Sequence, residues 1–277
     1  MKKVSIIITC YNKAKFIKEC LDSALNQTYP DIEIVVYNDA SKDDSAKIIQ
    51  KYADENDNII FINALKNRGV SYARNKAVEI CTGEYIFPLD GDDYIDLTYI
   101  EKAVMEFERD NSLNVVSANS YSVRDNGIFE HKSIMTESYA YHGSFAVSAL
   151  MRKSDFYRAG GYKEYMTENA EDAEFWLSCI ELGFKFKIID EYLLYVRRTS
   201  DNKDRRNLSR KFNHKKSDKC KLMMMKNHME LFRQDNQIVL DYIDVVQKFW
   251  KDQELYILFL AISIFEFCLI VSIHFVK

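Results

Sequence analysis

Through the first two hundred residues, unbroken apolar runs alternate with segments whose apolar positions return every three or four residues. Residues 4–10, VSIIITC, form a continuous β-rich run, the pattern of a strand covered on both faces. Asn12 stands where it can cap a helix over 13–27, with Phe16, Ile17, Cys20, Leu21, Ala24 and Leu25 at helical spacing. Pro30 and Asp31 make a turn into a second strand, 31–39. Ser41 or Asp43 then starts a helix through about Ala53, followed by a strand at 58–63, a helix at 70–81 and a strand at 84–90. Strand, helix, strand, repeated, predicts a parallel sheet with right-handed crossovers.

Beyond about residue 112 the alternation weakens. Strand-like pieces at 113–118, 120–124, 146–151 and 186–196 surround a helix at 171–182, and read as a second half completing the sheet. Residues 203–252 read as helix, with Ile238, Val239, Tyr242, Ile243, Val246, Phe249 and Trp250 on one amphipathic face. The expected fold is therefore α/β: a mostly parallel, Rossmann-like sheet flanked by helices, with a helical C-terminal extension.

Composition narrows the classes. Of 277 residues, 47% are hydrophobic and 29% charged, enough for a core and unlike a disordered chain. A net charge of -4 argues against a nucleic-acid partner. Six scattered cysteines without a C-x-x-C pair argue against a disulfide framework or structural zinc. The opening MKKVSIIITCYN is too short in its apolar run for a secretory signal.

The average charge hides an asymmetry. Residues 197–233 hold 13 Lys/Arg against 4 Asp/Glu. Such a block either meets an anionic surface or is a solvated helix face. Downstream, residues 255–276 run for 22 positions with one carboxylate, Glu266, about one bilayer thickness as a helix. Trp250 and Tyr256 stand at its entry, where aromatic rings favour a membrane interface. The segment reads as a membrane anchor or as a helix buried in an oligomer interface. Positive-inside logic would keep the rest in the cytoplasm, at the inner face of the cell membrane.

Candidate chemistry gathers where the strands end, the usual ligand side of an open α/β sheet. Asp90-Gly91-Asp92-Asp93 follows the apolar strand; its crowded carboxylates suit Mg²⁺ or Mn²⁺, or else form an exposed acidic turn. Asp39 ends the second strand and can accept a nucleotide N–H or cap the next helix. Arg68 and Arg74 flank the start of the third helix, where guanidinium groups match phosphates or serve as surface charge. Glu171 and Asp172 open an amphipathic helix, so either a general base or helix-dipole compensation is expected there. The five histidines, 131, 142, 214, 228 and 274, read as surface or packing residues.

In order and spacing, VSIIITCYN, QTYPDIEIVVYNDASKDDS, NRGVSYARNKA, GEYIFPLDGDD, Gly160-Gly161-Tyr162 and NAED-xx-FW together resemble the GT-A family 2 glycosyltransferases over residues 3–200. The resemblance implies a catalytic domain at 1–200; charge and hydropathy add a basic and amphipathic extension at 201–252 and an apolar helix at 253–277, a candidate membrane anchor. The resemblance also implies transfer of one sugar, with inversion, from a nucleotide-diphosphate sugar to a glycan or lipid-linked acceptor. Thr9 and Tyr11 would line the base pocket. Asp39 would accept the uracil imide N–H, which favours UDP or dTDP. Arg68 and Arg74 would assist base or diphosphate, Asp90 would hold the ribose, and Asp92 would ligate Mn²⁺ or Mg²⁺. Asp172 would be the base, with Asp93 and Glu171 as further donor or acceptor contacts. Relatives often carry a histidine after the last strand; here Tyr195-Val196-Arg197-Arg198-Thr199 has none, and its work would pass to Arg197 or Arg198. The processive Q-x-x-R-W signature is absent. Two rivals are a non-catalytic sugar-nucleotide binder of the same fold and a haloacid-dehalogenase-like phosphatase, whose Asp-x-Asp normally follows the first strand.

Overall fold

A computed structural model describes residues 2–133, 145–167 and 170–198, together with 220, 223–224 and 226–232. The chain divides into two compact units, Met1–Phe212 and Asn213–Lys277. The first opens with β1 (Val4–Cys10), α1 (Ile17–Leu25), β2 (Ile32–Asn38), α2 (Ser45–Glu55), β3 (Ile59–Asn63), α3 (Val70–Ile80) and β4 (Tyr85–Asp90). It continues with β5 (Tyr94–Ile95), α4 (Tyr99–Arg109), β6 (Val115–Arg124), β7 (Gly127–His131), β8 (Leu150–Arg152), α5 (Lys153–Arg158), α6 (Glu171–Glu181) and β9 (Phe186–Arg197).

One sheet runs β3-β2-β1-β4-β8-β6-β9-β5, with β7 paired to β6. The β3-β2-β1-β4 half is parallel throughout, with Thr9 beside Tyr37 on one side and Asp90 on the other. Burial of all seven β1 residues follows from cover on both faces. Ile6 and Ile8 join the apolar layer made with α1, α2 and α4; Ile7 joins the layer made with α3, α5 and α6. Each such isoleucine contributes roughly 1.5–3 kcal/mol of burial energy. The second half is mixed. Three-residue β8 joins β4 and β6, antiparallel to both, while β6 and β9 run parallel with register shifts around Asn119.

Several local expectations change. Asn12 does not cap α1, which begins at Ile17; it takes a left-handed φ of 54° and its Oδ1 accepts the Lys42 N–H at 2.7 Å. Neither Ser41 nor Asp43 is the N-cap residue of α2, which follows Asp44; instead Asp43 Oδ1 accepts the Ser45 N–H at 3.0 Å, just before the helix. The pieces 113–118 and 120–124 fuse into β6, whereas the 146–151 run shortens to β8, with 145–149 outside any strand. Helix α4 was legible but unassigned: Ile100, Ala103, Val104 and Phe107 are its buried stripe. Strand β7 carries no such signal, because all five residues are exposed.

Of the second unit, Met229–Phe232 is helical (α7), and Cys220, Met224 and His228 are buried. Most of 201–252 and all of 253–277, with the 255–276 run, Trp250 and Tyr256, lie outside the described residues. Among the described residues no helix is long and apolar enough to cross a membrane. The five described cysteines are unpaired and buried.

Candidate active site

Beyond the carboxyl ends of the parallel strands lies an open cleft of about 600 Å³. Thr9, Tyr11, Asp39, Arg74, Asp90, Asp92, Asp93, Glu171, Asp172, Arg197 and Arg198 all line it. Arg68 does not: its guanidinium lies 4.7 Å from the centre of the Tyr72 ring, and only its backbone turns inward.

Asp39 is 3% exposed and does not cap α2. Its two carboxylate oxygens accept the backbone N–H groups of Arg68 at 2.9 Å and Gly69 at 2.8 Å, one each. These bonds tie the end of β2 to the start of α3. Gly69 has φ 90°, a conformation that side chains rarely adopt, which explains the glycine of NRG. Each Asp39 oxygen keeps a further lone pair for a ligand donor.

Arg74 projects from α3 and is nearly inaccessible at 3%. It donates to Asp90 Oδ1 at 2.7 Å and to Glu171 Oε1 at 3.0 Å, joining β4 to α6. Its guanidinium sits 5.1 Å from the centre of the Tyr162 ring. Asn75 secures that ring by accepting the Tyr162 N–H at 3.0 Å and donating to the Tyr162 carbonyl at 2.8 Å. Burial works against the charge of Arg74, but Asp90, Tyr162 and Glu171 outweigh it and raise its pKa. Burial likewise opposes ionised Asp90, and Arg74 overrides it, so that carboxyl stands below its ordinary value.

Gly91 is explained by close approach. Its N–H donates to the Thr9 carbonyl at 2.9 Å, and a Cβ there would stand 2.9 Å from that same oxygen. The chain can thus leave β4 against β1 and turn Asp92 and Asp93 into the cleft. Asp92 pairs with Lys13, and Asp93 accepts the Arg197 N–H at 2.8 Å. Burial, then Asp92 and Asp90, push Asp93 well above the carboxylate range. The Arg197 guanidinium pairs with Glu19 and lies between the Phe16 and Tyr94 rings, 4.9 and 5.1 Å from their centres.

Asp172 departs from expectation in its chemistry. A helix N-terminus favours an ionised carboxylate of ordinary pKa. Here burial, then repulsion from Glu171, lifts it to about 6, against the opposing pull of Arg74 and the Ala173 N–H donated at 2.8 Å. Ala170, the residue just before α6, is held at φ 64°. A group so tuned is a better proton acceptor than an ordinary carboxylate and is still mostly ionised at neutral pH.

Among the described residues, no three His, Cys, Asp or Glu side chains are arranged to hold a metal by themselves. The Asp90–Asp93 segment still offers hard oxygens crowded by like charge, which suits a divalent ion completed by phosphate oxygens and water.

Some wall residues escaped sequence reasoning. Lys13, Asn67, Ser120, His131 and 145–148 all line the cleft. His131 is exposed, as expected of a surface residue, but it also lines the cleft; its position follows from pairing with Ser120 across β6 and β7. Lys13 carried a weak signal, being two residues past Tyr11 at the end of a strand.

The glycosyl transferase family 2 model matches residues 5–171. A chondroitin synthase of Pasteurella multocida (strain Pm70) is 32% identical over 222 residues, 76% of this chain and 22% of that protein. The uncharacterized glycosyltransferase EpsJ of Bacillus subtilis (strain 168) is 34% identical over 216 residues, 72% of this chain and 62% of that protein. The match to the chondroitin synthase spans about a fifth of that protein. Among solved structures, S. aureus TarS 1-349 in complex with UDP-GlcNAc superposes with a TM-score of 0.65 at 19% identity, over 91% of this chain and 75% of that 1-349 chain. With motifs, sheet order and cleft in agreement with the family match, the chain belongs to glycosyl transferase family 2.

Proposed function

We propose that the protein is an inverting glycosyltransferase. It moves one sugar from a UDP-sugar to a hydroxyl of a glycan or lipid-linked acceptor. The observation that carries this reading is the meeting of Asp39, Asp92 and Asp172, from three distant stretches of a family 2 chain, in one cleft. The TarS structures with UDP and UDP-GlcNAc support uridine as the base.

In this reading the uracil lies by Thr9 and Tyr11 and donates its imide N–H to Asp39. The two amides already on that carboxylate fix its direction before the ligand arrives. Asp90, oriented by Arg74, takes the ribose. Asp92 would hold Mn²⁺ or Mg²⁺ together with the diphosphate, and that ion would supply charge stabilisation to the leaving group. Asp172 accepts the acceptor O–H proton while the acceptor oxygen attacks the anomeric carbon from the face opposite the diphosphate. One carbon–oxygen bond forms, the bond to the diphosphate breaks, and UDP leaves with both electrons of that bond. Arg197 and Arg198, which line the same cleft, would assume a diphosphate role; Asp93 and Glu171 would shape the sugar side. The basic stretch at 197–233 and the apolar run at 255–276 suit a lipid-linked acceptor at the inner face of the cell membrane.

The test is a screen of UDP-sugars with Mn²⁺ or Mg²⁺ for hydrolysis and transfer, on the wild type and on Asp172→Asn. The proposal expects metal-dependent turnover that Asp172→Asn lowers by about 10²–10⁴-fold while UDP still binds. A protein that binds UDP and shows no Asp172-dependent chemistry is a binding module instead.

A further inference from the structure

Lys13, which has no part in the transfer proposed above, lines the cleft from a backbone held at three successive residues. Lys13 sits between β1 and α1, and three successive N–H groups there are taken by side chains of the β2–α2 loop and of the first residue of α2. Asn12 N–H donates to Ser41 Oγ at 2.9 Å, Lys13 N–H to Ser45 Oγ at 2.9 Å, and Ala14 N–H to Asp43 Oδ2 at 3.0 Å. Asn12 reciprocates by accepting the Lys42 N–H, and it holds a left-handed φ of 54°, which asparagine tolerates better than most residues. What this lashing presents is one ammonium group, paired with Asp92 inside the cleft. The two side chains are only 20% and 11% exposed, so this is not a rim ion pair held in water.

We infer that Lys13 is a resident counter-cation for Asp92. While the cleft is free of donor, its ammonium holds the charge position that a divalent ion would otherwise take. When a sugar nucleotide enters, the flexible lysine stem transfers the ammonium to the diphosphate, and Asp92 becomes available to the metal. Lys13 thereby makes metal affinity conditional on nucleotide, and by linkage nucleotide affinity conditional on metal to the same degree. This rests on the cleft being a UDP-sugar site, and it adds a binding order that the site residues alone do not dictate.

The test is calorimetric titration of Mn²⁺, with and without saturating UDP, into the full-length wild type, Lys13→Met and Lys13→Arg. Removing one competing unit charge in a half-sequestered site is expected to tighten Mn²⁺ binding in the absence of UDP by about tenfold or more. The factor by which UDP strengthens Mn²⁺ binding should shrink by a similar amount in Lys13→Met. Lys13→Arg keeps the charge and should behave as the wild type, which separates charge from folding; thermal melting of each variant checks the latter. Should Lys13→Met not fold, Lys13→Gln is titrated in its place. Unchanged or weaker Mn²⁺ binding by the folded uncharged variant overturns the inference while leaving the proposed function standing. A wild type that binds neither UDP nor Mn²⁺ with UDP overturns both.

Discussion

The two halves of the sheet present opposite kinds of site residue. In the parallel half, functional carboxylates are already engaged: Asp39 by two backbone amides, Asp90 by Arg74, Asp92 by Lys13. In the mixed half, Asp172 is half-buried beside another carboxylate and lifted to about 6. The first half would be preorganised to bind, with Asp39, Asp90 and Asp92 each engaged in place; Asp93, just beyond β4, is the exception, pushed up by burial and by Asp92 and Asp90. The second holds a charge under tension, suited to take up a proton. Arg74 spans the two, reaching Asp90 with one nitrogen and Glu171 with another.

Breaking the chemical side alone should give the largest effect. Asp172→Asn is expected to lower turnover by about 10²–10⁴-fold, the usual worth of a positioned base, with UDP affinity changed by less than about threefold. Parallel rate and binding measurements check it; a comparable loss of UDP binding would mean that the halves are not separable. Cutting the bridge should be costly to the fold. Arg74→Ala leaves Asp90 and Glu171 without their shared cation and is expected to destabilise by about 3 kcal/mol, since Asp90 retains some access to water. Urea unfolding reads this directly.

Gly91→Ala touches only the binding half. Its Cβ would meet the Thr9 carbonyl at 2.9 Å, which predicts a loss of about 1–3 kcal/mol in stability and weaker donor binding as Asp92 is displaced. The mildest probe is pH. Asp172 must be ionised to accept a proton, so kcat/KM should fall as pH drops through about 6. UDP binding should persist to lower pH, because Arg74 keeps the Asp90 carboxyl below its usual value against the cost of burial. A pH–rate profile beside a pH–affinity profile would sharpen the contrast, and coincident curves would erase it.

The same division explains what the sequence discloses. In the parallel half, strands read as continuous apolar runs because both faces are covered, and the motifs lie at strand ends, where geometry is local. Asp39 and Asp90 could be placed in that way, and Arg74 by its helix start. Their partners could not: the Asp39 clamp depends on a left-handed Gly69, and the Lys13–Asp92 pair joins residues 79 apart in the chain. In the mixed half, β7 is exposed throughout and β8 has three residues, so neither leaves a period to detect. His131 and the 145–148 wall were therefore invisible as site residues. The raised pKa of Asp172 was hidden for another reason, since it comes from burial in tertiary structure and a neighbour on its own helix, not from the helix terminus that the sequence reveals.

The most direct test of a single cleft joining both halves is a crystal structure of the protein with UDP and Mn²⁺. The account predicts uracil against Asp39, the diphosphate and metal at Asp92, and Asp172 facing the open side where a sugar would follow. Uridine bound away from Asp39, or a metal that leaves Asp92 untouched, would contradict it.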